Sequence, residues 1–268
     1  MCKEATGKYG EKLASFLYES KYKVSAVNPA CIKAFANSNL SRNKTDSADS
    51  LLIANYANKC EPKLFIPKTP ILKEIQEIHR CIQDLKSQLN QATNRLENID
   101  LLPKTVSSTW QNMSSNIKDK IKELQEYVIK LISSDPAINQ DYKNLQTIPG
   151  IASISAIAII AEVPDINVLP NARTLAAYAT LNPKHRISGS SIRRKTKISK
   201  IGSANLRKIS YFPAIVASSA NHHFLSFKQK MKNKGKHNMV IIVALMRKMM
   251  HIIYAILKNK SSFSYEIA

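Results

Sequence analysis

Acid is nearly absent from the C-terminal half of this 268-residue chain: residues 142–268 carry 20 Lys and Arg against Glu162, Asp165 and Glu266 alone. That scarcity excludes a surface of mutually compensating ion pairs and directs this half toward a polyanion, either nucleic acid or an anionic membrane. Cysteine is also sparse. Cys2, Cys31, Cys60 and Cys81 lie far apart, with no CxxC spacing and no His at ligand distance. This excludes a zinc ribbon and a disulfide framework and fits a reduced, cytoplasmic protein. The six His residues form no ligand pattern, and the adjacent pair His222 and His223 points in different directions on a helix. No signal peptide opens the chain. The longest apolar run, Met239 to Leu257, is broken by Arg247, Lys248 and His251, which suits a core helix with one wet edge better than a membrane span.

What is present is positive charge, unevenly placed. Of the net +21, +17 lies in residues 142–268, while the first 141 residues hold 20 bases against 16 acids. The polyanion-facing part is therefore C-terminal. Its densest stretch is 184–208, KHRISGSSIRRKTKISKIGSANLRK, in which Lys184, Arg186, Arg193, Arg194, Lys195, Lys197, Lys200, Arg207 and Lys208 occur without a single acid. Ile187, Ile192, Ile198, Ile201 and Leu206 are threaded through it, so it reads as a folded element rather than a basic tail. Its cations suit phosphates, and its hydroxyls suit bonding to, or attack on, a phosphate.

Along the chain, residues 1–60 alternate helix and strand: EKLASFLYES helical, YKVSAVNPA a short strand, CIKAFANS and DSADSLLIANYANK helical. Such alternation predicts an α/β layer with one clear strand, too little for a sheet. From Ile71 the apolar residues Ile71, Ile75, Ile78, Ile82, Leu85, Leu89, Ala92, Leu96 and Ile99 follow alternating gaps of four and three, an a/d heptad seam. After LLPKT a second helix carries Trp110, Met113, Ile117, Ile121, Leu124, Val128 and Leu131. Two such helices predict an antiparallel hairpin, closed within the chain or paired with another subunit. From about Asp141 a compact helical domain is expected. LQTIPGIASISAIAIIAEV forms a helix-hairpin-helix entry, LNPKHRISGSS an irregular or extended loop, and ISKIGSANLRKISYFPAIVASSA a turn leading into a helix bent at Pro213.

Three residue groups are candidates for chemistry, each with a plainer reading. Glu4, in KEATGKYG, is read alone as a solvated acid before a turn. Asp46 and Asp49, in KTDSADS, lie on one face of a helix start, where they can share a divalent cation or serve as N-terminal caps. Ser188, Ser190 and Ser191 are candidate nucleophiles, or parts of a phosphate-contacting loop.

Taken together, these blocks resemble the DEDD-type insertion-sequence transposases of the Piv/MooV group, insertion-sequence family one hundred and ten. The N-terminal half carries EATGKY, AVNPA and KTDSADS; the C-terminal half carries IPGI, LAAYA, LNP, SG, ISKIG and LRK. The order of so many short blocks makes the resemblance specific, and it runs over nearly the whole chain. It implies an α/β plus all-α protein in three parts. These are a partial RuvC-like domain at 1–68, an antiparallel coiled-coil hairpin at 69–135 and a mainly helical transposase domain at 141–268. It further implies that Glu4, Asp46 and Asp49 hold Mg²⁺, and that a serine, most naturally Ser188, attacks DNA to form a phosphoserine link. DNA, a structured guide RNA and a homodimer or higher homo-oligomer through the coiled coil are the implied partners, with the acids of one subunit meeting the serine of another.

The chain departs from the family pattern in three places. The first acid of the quartet has no counterpart before Glu4, Ser50 stands where the family has Ala, and Thr180 stands where Gly is usual. The expectation is a truncated, decayed copy whose trio binds metal more weakly and whose sheet has unpaired edges. Two competing readings are a non-catalytic nucleic-acid-binding remnant and a structural coiled-coil protein with a basic patch.

Overall fold

In a computed structural model, described over residues 1–5, 7–40, 45–188, 192–199 and 201–264 (backbone alone for 7–9, 185–188 and 192–196), the chain divides into two units, Met1–Thr69 and Pro70–Ala268. The first unit holds a strand that the sequence pattern conceals. β1 (Cys2–Glu4) runs parallel to β2 (Ser25–Val27), with Cys2 opposite Ser25 and Glu4 opposite Val27. Three residues are too few to show a period of two. The pairing extends beyond them through Ser25 N to Met1 O (2.9 Å) and Ala5 N to Val27 O (2.8 Å). Because parallel strands need a crossover, α1 (Gly7–Glu19) connects them. α2 (Pro29–Ser38) follows, started by Pro29 at its first position and by Asn28 Oδ1, which accepts from Ala30 N at 2.9 Å. α3 (Asp46–Cys60) completes the unit and packs on β1 and α2.

This unit buries little. Among the described residues its apolar core is Ala14, Val24, Val27 and Ile32, while α3 buries no residue and Leu13, Phe16 and Leu51 are more than half exposed. A two-stranded sheet with so slender a core is marginal by itself.

The second unit starts with the helical hairpin. α4 (Pro70–Arg95) and α5 (Lys104–Ser134) are linked through a 3₁₀ turn at Ile99–Leu101 and pack on each other. Ile82, Ile117 and Ile121 are buried between them, flanked by Ile78, Leu85, Leu89 and Leu124. The Arg95 guanidinium lies 4.6 Å from the Trp110 ring centroid and closes the far end. At the near end the seam runs into a different core. Ile75, Val128 and Ile132 pack with Ile138 of α6 (Pro136–Gln146) and with Ile157 and Ala161 of α7 (Ser153–Glu162). α6 begins ahead of the expected Asp141, because Asp135 Oδ1 caps it, accepting from Ala137 N and Ile138 N, and Pro136 fills its first position.

The remaining elements are α8 (Ala172–Tyr178), β3 (Pro183–Ser188), β4 (Ile192–Ile198), α9 (Ala204–Ala220), α10 (His222–Asn233) and α11 (Asn238–Asn259). α11 is long and apolar enough to cross a membrane by length and composition alone. Here it buries Ile241, Leu245, Met246, Met249, Met250, Ile252, Ile253, Ile256 and Leu257 in the main core, covered by α6, α8, α9 and α10. Arg247, Lys248 and His251 lie on its half-buried edge. The Pro149-Gly150 turn before α7 presses directly on α9. Gly150 has φ +88°, and a Cβ there would stand 2.4 Å from the Pro213 carbonyl oxygen.

Where α4 meets α7 the interior is polar. His79 and Glu162 are buried, and the Arg80 Nε lies 3.7 Å from Glu162 Oε1, an oxygen with no hydrogen-bond partner. Burial pushes the His79 imidazole below its ordinary value of 6.5; Lys86 and Arg80 push the same way, and Glu162 opposes them. His251 is lowered too, by burial and then by Arg247 and Arg173. Each imidazole therefore stays neutral in the folded chain at a pH where the unfolded chain has begun to bind a proton. Their contribution to stability is present above about 6.5 and is lost as pH falls from there through their depressed folded values. The unfolding midpoint is expected to drop between pH 7 and pH 5, and His79→Leu to flatten that dependence; an unchanged slope in the variant would contradict the assignment.

Candidate nucleic-acid interface

The basic segment is a β-ribbon. β3 and β4 pair antiparallel, with Pro183 opposite Ile198, Lys184 opposite Lys197, Arg186 opposite Arg194, Ile187 opposite Arg193 and Ser188 opposite Ile192. The register is irregular between Lys184 and Arg186. The segment Leu181–Ser191, expected as an irregular or extended loop, is extended over Pro183–Ser188 and pairs there as a strand. The alternation that marks strands relies on apolar and polar residues taking turns, and it is hidden where cations occupy both sets of positions. A two-stranded ribbon is narrow enough to enter the major groove of B-form DNA, and one loaded with cations is suited to phosphates on either side. Lys184, Lys197 and Lys208 are exposed, and Arg207 is half-buried. Ser188 ends β3; Ser190, Ser191 and Lys200 lie outside the described residues.

A ribbon of this size needs an anchor, and its base supplies one. Ser199 N donates to Asn182 O at 3.1 Å, and Ser203 N donates to Tyr178 O at 2.6 Å. Gly202 takes φ +133°, and a Cβ there would stand 2.3 Å from Tyr178 O. Thr180 is fully buried with φ +59°, a left-handed conformation that strains a β-branched residue. The family resemblance has Gly at this position, and the backbone here is the one glycine favours. Thr180 offsets part of that strain with its hydroxyl, whose Oγ1 accepts a hydrogen bond from Arg207 Nη1. Arg207, expected only as a phosphate contact, is also a strut between α9 and the turn after α8. Nothing in the sequence marks Thr180 as left-handed, whereas Gly202 in KIG is a visible turn signal.

The acids belong to the first unit. Glu4 is the last residue of β1, and Asp46 and Asp49 occupy the first turn of α3, so all three lie on two elements that touch. Capping of α3 falls to Thr45, whose Oγ1 accepts from Ala48 N at 3.2 Å, and this displaces the capping reading of the two Asp residues. Ser50, where the family has Ala, donates its hydroxyl to Asp46 O at 2.7 Å and stays within its own helix. Among the described residues no three His, Cys, Asp or Glu side chains come together as a group able to hold a metal ion. The four cysteines are free thiols, and the Tyr56 hydroxyl pKa is raised by burial, helped by Cys31, Cys60 and Cys2.

Comparison with known proteins covers both halves. Residues 142–229 match the profile of the family described as Transposase IS116/IS110/IS902, and residues 1–104 match that of a DEDD transposase domain of the IS110 type. The chain is 34% identical over 265 residues to the pilin gene-inverting protein of Moraxella bovis, covering 98% of this chain and 81% of that protein. The counterpart from Moraxella lacunata gives the same figures. The transposase for insertion sequence element IS1111A of Coxiella burnetii is 23% identical over 271 residues, covering 88% of this chain and 72% of that protein.

The anchor beneath the ribbon yields an ordering of variants. Thr180→Ala keeps the left-handed strain and removes the partner of Arg207, and is expected to cost about 1–3 kcal/mol. Thr180→Gly removes the same partner and relieves the strain, so it is expected to unfold at a higher temperature than Thr180→Ala. Thermal unfolding of the two variants side by side checks this, and the reverse order would contradict it.

Proposed function

Because this chain belongs to the IS116/IS110/IS902 family of transposases, we propose that it is a DNA recombinase of a mobile element, in which a serine of the basic ribbon attacks the DNA backbone. The observation that carries the proposal is the β3–β4 ribbon itself: cations along both strands, Ser188 at the end of one of them, and hardly an acid in the surrounding sequence. The names of the Moraxella and Coxiella relatives speak of gene inversion and of transposition, and both suit a DNA recombinase.

The chemistry assigned to this chain is a transesterification. The Ser188 oxygen forms a bond to phosphorus, the bond from phosphorus to one strand oxygen breaks, and the serine proton passes to that leaving oxygen. Lys184, Arg186, Arg193, Arg194, Lys195, Lys197, Lys200 and Lys208 hold the phosphates on either side and offset the charge that builds at the reacting one. Arg207 helps fix the ribbon's base. Ser190 and Ser191, two and three residues beyond Ser188 in the sequence, are alternative nucleophiles. The resemblance assigns Mg²⁺ to the reaction, held by Glu4, Asp46 and Asp49. Those three carboxylates would be its protein ligands, and the steps attributed to the chain are those of its own hydroxyl and cations.

The finer architecture proposed is a RuvC-like domain at 1–68, a coiled-coil hairpin at 69–135 and a transposase domain at 141–268. A homodimer or higher homo-oligomer through the hairpin and a structured guide RNA are proposed on the resemblance alone. One second reading, a protein that binds nucleic acid and does not cut it, is favoured by the lack, among the described residues, of three His, Cys, Asp or Glu side chains gathered as a metal-holding group.

Strand cleavage of a DNA bearing the element's ends, with Mg²⁺ and the element's RNA, separates the two. Combined Ser188→Ala, Ser190→Ala and Ser191→Ala is expected to lower cleavage by about a thousandfold or more while leaving DNA binding in place. Cleavage that survives the triple change would refute serine attack. Wild-type protein that binds DNA without cutting it, and is indifferent to Glu4→Gln and Asp46→Asn, would establish the second reading.

A further inference from the structure

A second cationic surface lies on elements other than the ribbon, where α10 gives way to α11. Lys228, Lys230, Lys232, Lys234 and Lys236 occupy alternate positions, and all but the first are exposed. Lys228 has a structural task, its Nζ donating to Ser218 Oγ at 3.3 Å and tying α10 to α9. The other four take part in none of the ion pairs found among the described residues, which on the basic side include Arg80, Lys120 and Lys260. A further cation adds to the cluster. Lys248 of α11 stands over the Phe224 and Phe227 rings, at 5.7 and 5.5 Å from their centroids. Its pKa is lowered by burial and by Lys230, as expected of two cations that share a site without a counterion.

The plain account of lysines at a helix C-terminus is that they complement the helix dipole. It covers Lys230 and Lys232, in the last turn of α10. It does not cover Lys234 and Lys236, which lie past the helix end, or Lys248 on the neighbouring helix. Like charges this close lie within a Debye length of one another and repel, and a polyanion removes that cost. The residue type narrows the ligand. Lysine is a compact point charge without the planar fork that reads a base edge, so an all-lysine surface suits a row of phosphates and carries no sequence preference. The ribbon, with Arg186, Arg193 and Arg194, has that fork.

Resting on the nucleic-acid reading above, we propose that the α10–α11 corner is a second backbone-binding surface, at which Lys230, Lys232, Lys234 and Lys236 hold a phosphodiester chain at a place separate from the ribbon. It adds affinity and orientation, and leaves recognition of sequence to other elements. The surface begins just past the segment that matches the family's C-terminal domain, which ends at residue 229.

The test uses the full chain and two probes, a random-sequence DNA duplex and a structured RNA hairpin, with binding followed by fluorescence anisotropy over a range of KCl. Four proteins are compared: wild type, the quadruple Lys→Gln variant at 230, 232, 234 and 236, the quadruple Lys→Arg variant at the same positions, and Lys184→Gln/Lys197→Gln in the ribbon. The quadruple Gln variant is expected to bind at least one probe roughly tenfold or more weakly, with a salt slope shallower by about 2–4, since each lost phosphate contact removes about 0.9 from it. The Arg variant is expected to restore both. The probe that loses affinity identifies whether DNA or RNA occupies the corner. If the ribbon variant weakens binding while the quadruple Gln variant matches wild type on both probes, this surface is refuted and the ribbon stands. If wild type shows no salt-dependent binding to either probe, the nucleic-acid reading falls and this surface with it.

Discussion

The second unit is organised by the need to cover α11. A helix of 22 residues that is apolar on most of its circumference has to be enclosed, and each fully buried Ile, Leu or Met contributes about 1.5–3 kcal/mol. Four helices, α6, α8, α9 and α10, do the enclosing. Once they are in place the cations have nowhere to go but the rim. The ribbon emerges between α8 and α9, and the lysine corner forms where α10 turns into α11. Charge placement is therefore a consequence of how one apolar helix is wrapped.

Joints between elements are tight where they set direction. Gly150 lets the entry to α7 sit against the α9 backbone, and Gly202 lets the end of the ribbon sit against the Tyr178 carbonyl. Thr180 achieves the same kind of turn at a cost in backbone strain, and its hydroxyl holds Arg207 in exchange. One of the cations near the ribbon thus has a second task that its charge alone does not reveal. The first unit shows the opposite economy: two short strands, four buried apolar residues and exposed Leu13, Phe16 and Leu51. Its acids sit on touching elements, yet they do not gather into a metal-binding group.

Much of the helical architecture was legible because its periods are long. The three-and-four spacing of Ile75, Ile78 and Ile82, resumed in the second helix by Ile121, Leu124 and Val128, reads out directly as a helical pair, and the Arg and Lys within α11 mark its wet edge. The family blocks led to Glu4, Asp46, Asp49 and Ser188, and comparison bears out the family, though the roles of those residues rest on resemblance. β1 was not legible, since three residues cannot display a period. The ribbon was not legible because its alternate positions are both cationic. The buried Glu162 beside Arg80 and His79 carries no local signature at all, because only the packing of α4 on α7 takes it out of water. Asp46 and Asp49 looked like helix caps until Thr45 was seen to do that work.

The central claim is that a serine in the ribbon's loop makes a covalent bond to DNA. It is tested most directly by incubating the full chain with DNA carrying the element's ends, Mg²⁺ and RNA, stopping the reaction in denaturant, and locating any nucleotide adduct by proteolysis and mass spectrometry. The account predicts a phosphodiester-linked nucleotide on the peptide spanning Ser188 to Ser191. Cut DNA with no adduct on the protein, or an adduct on a residue outside that peptide, would contradict it.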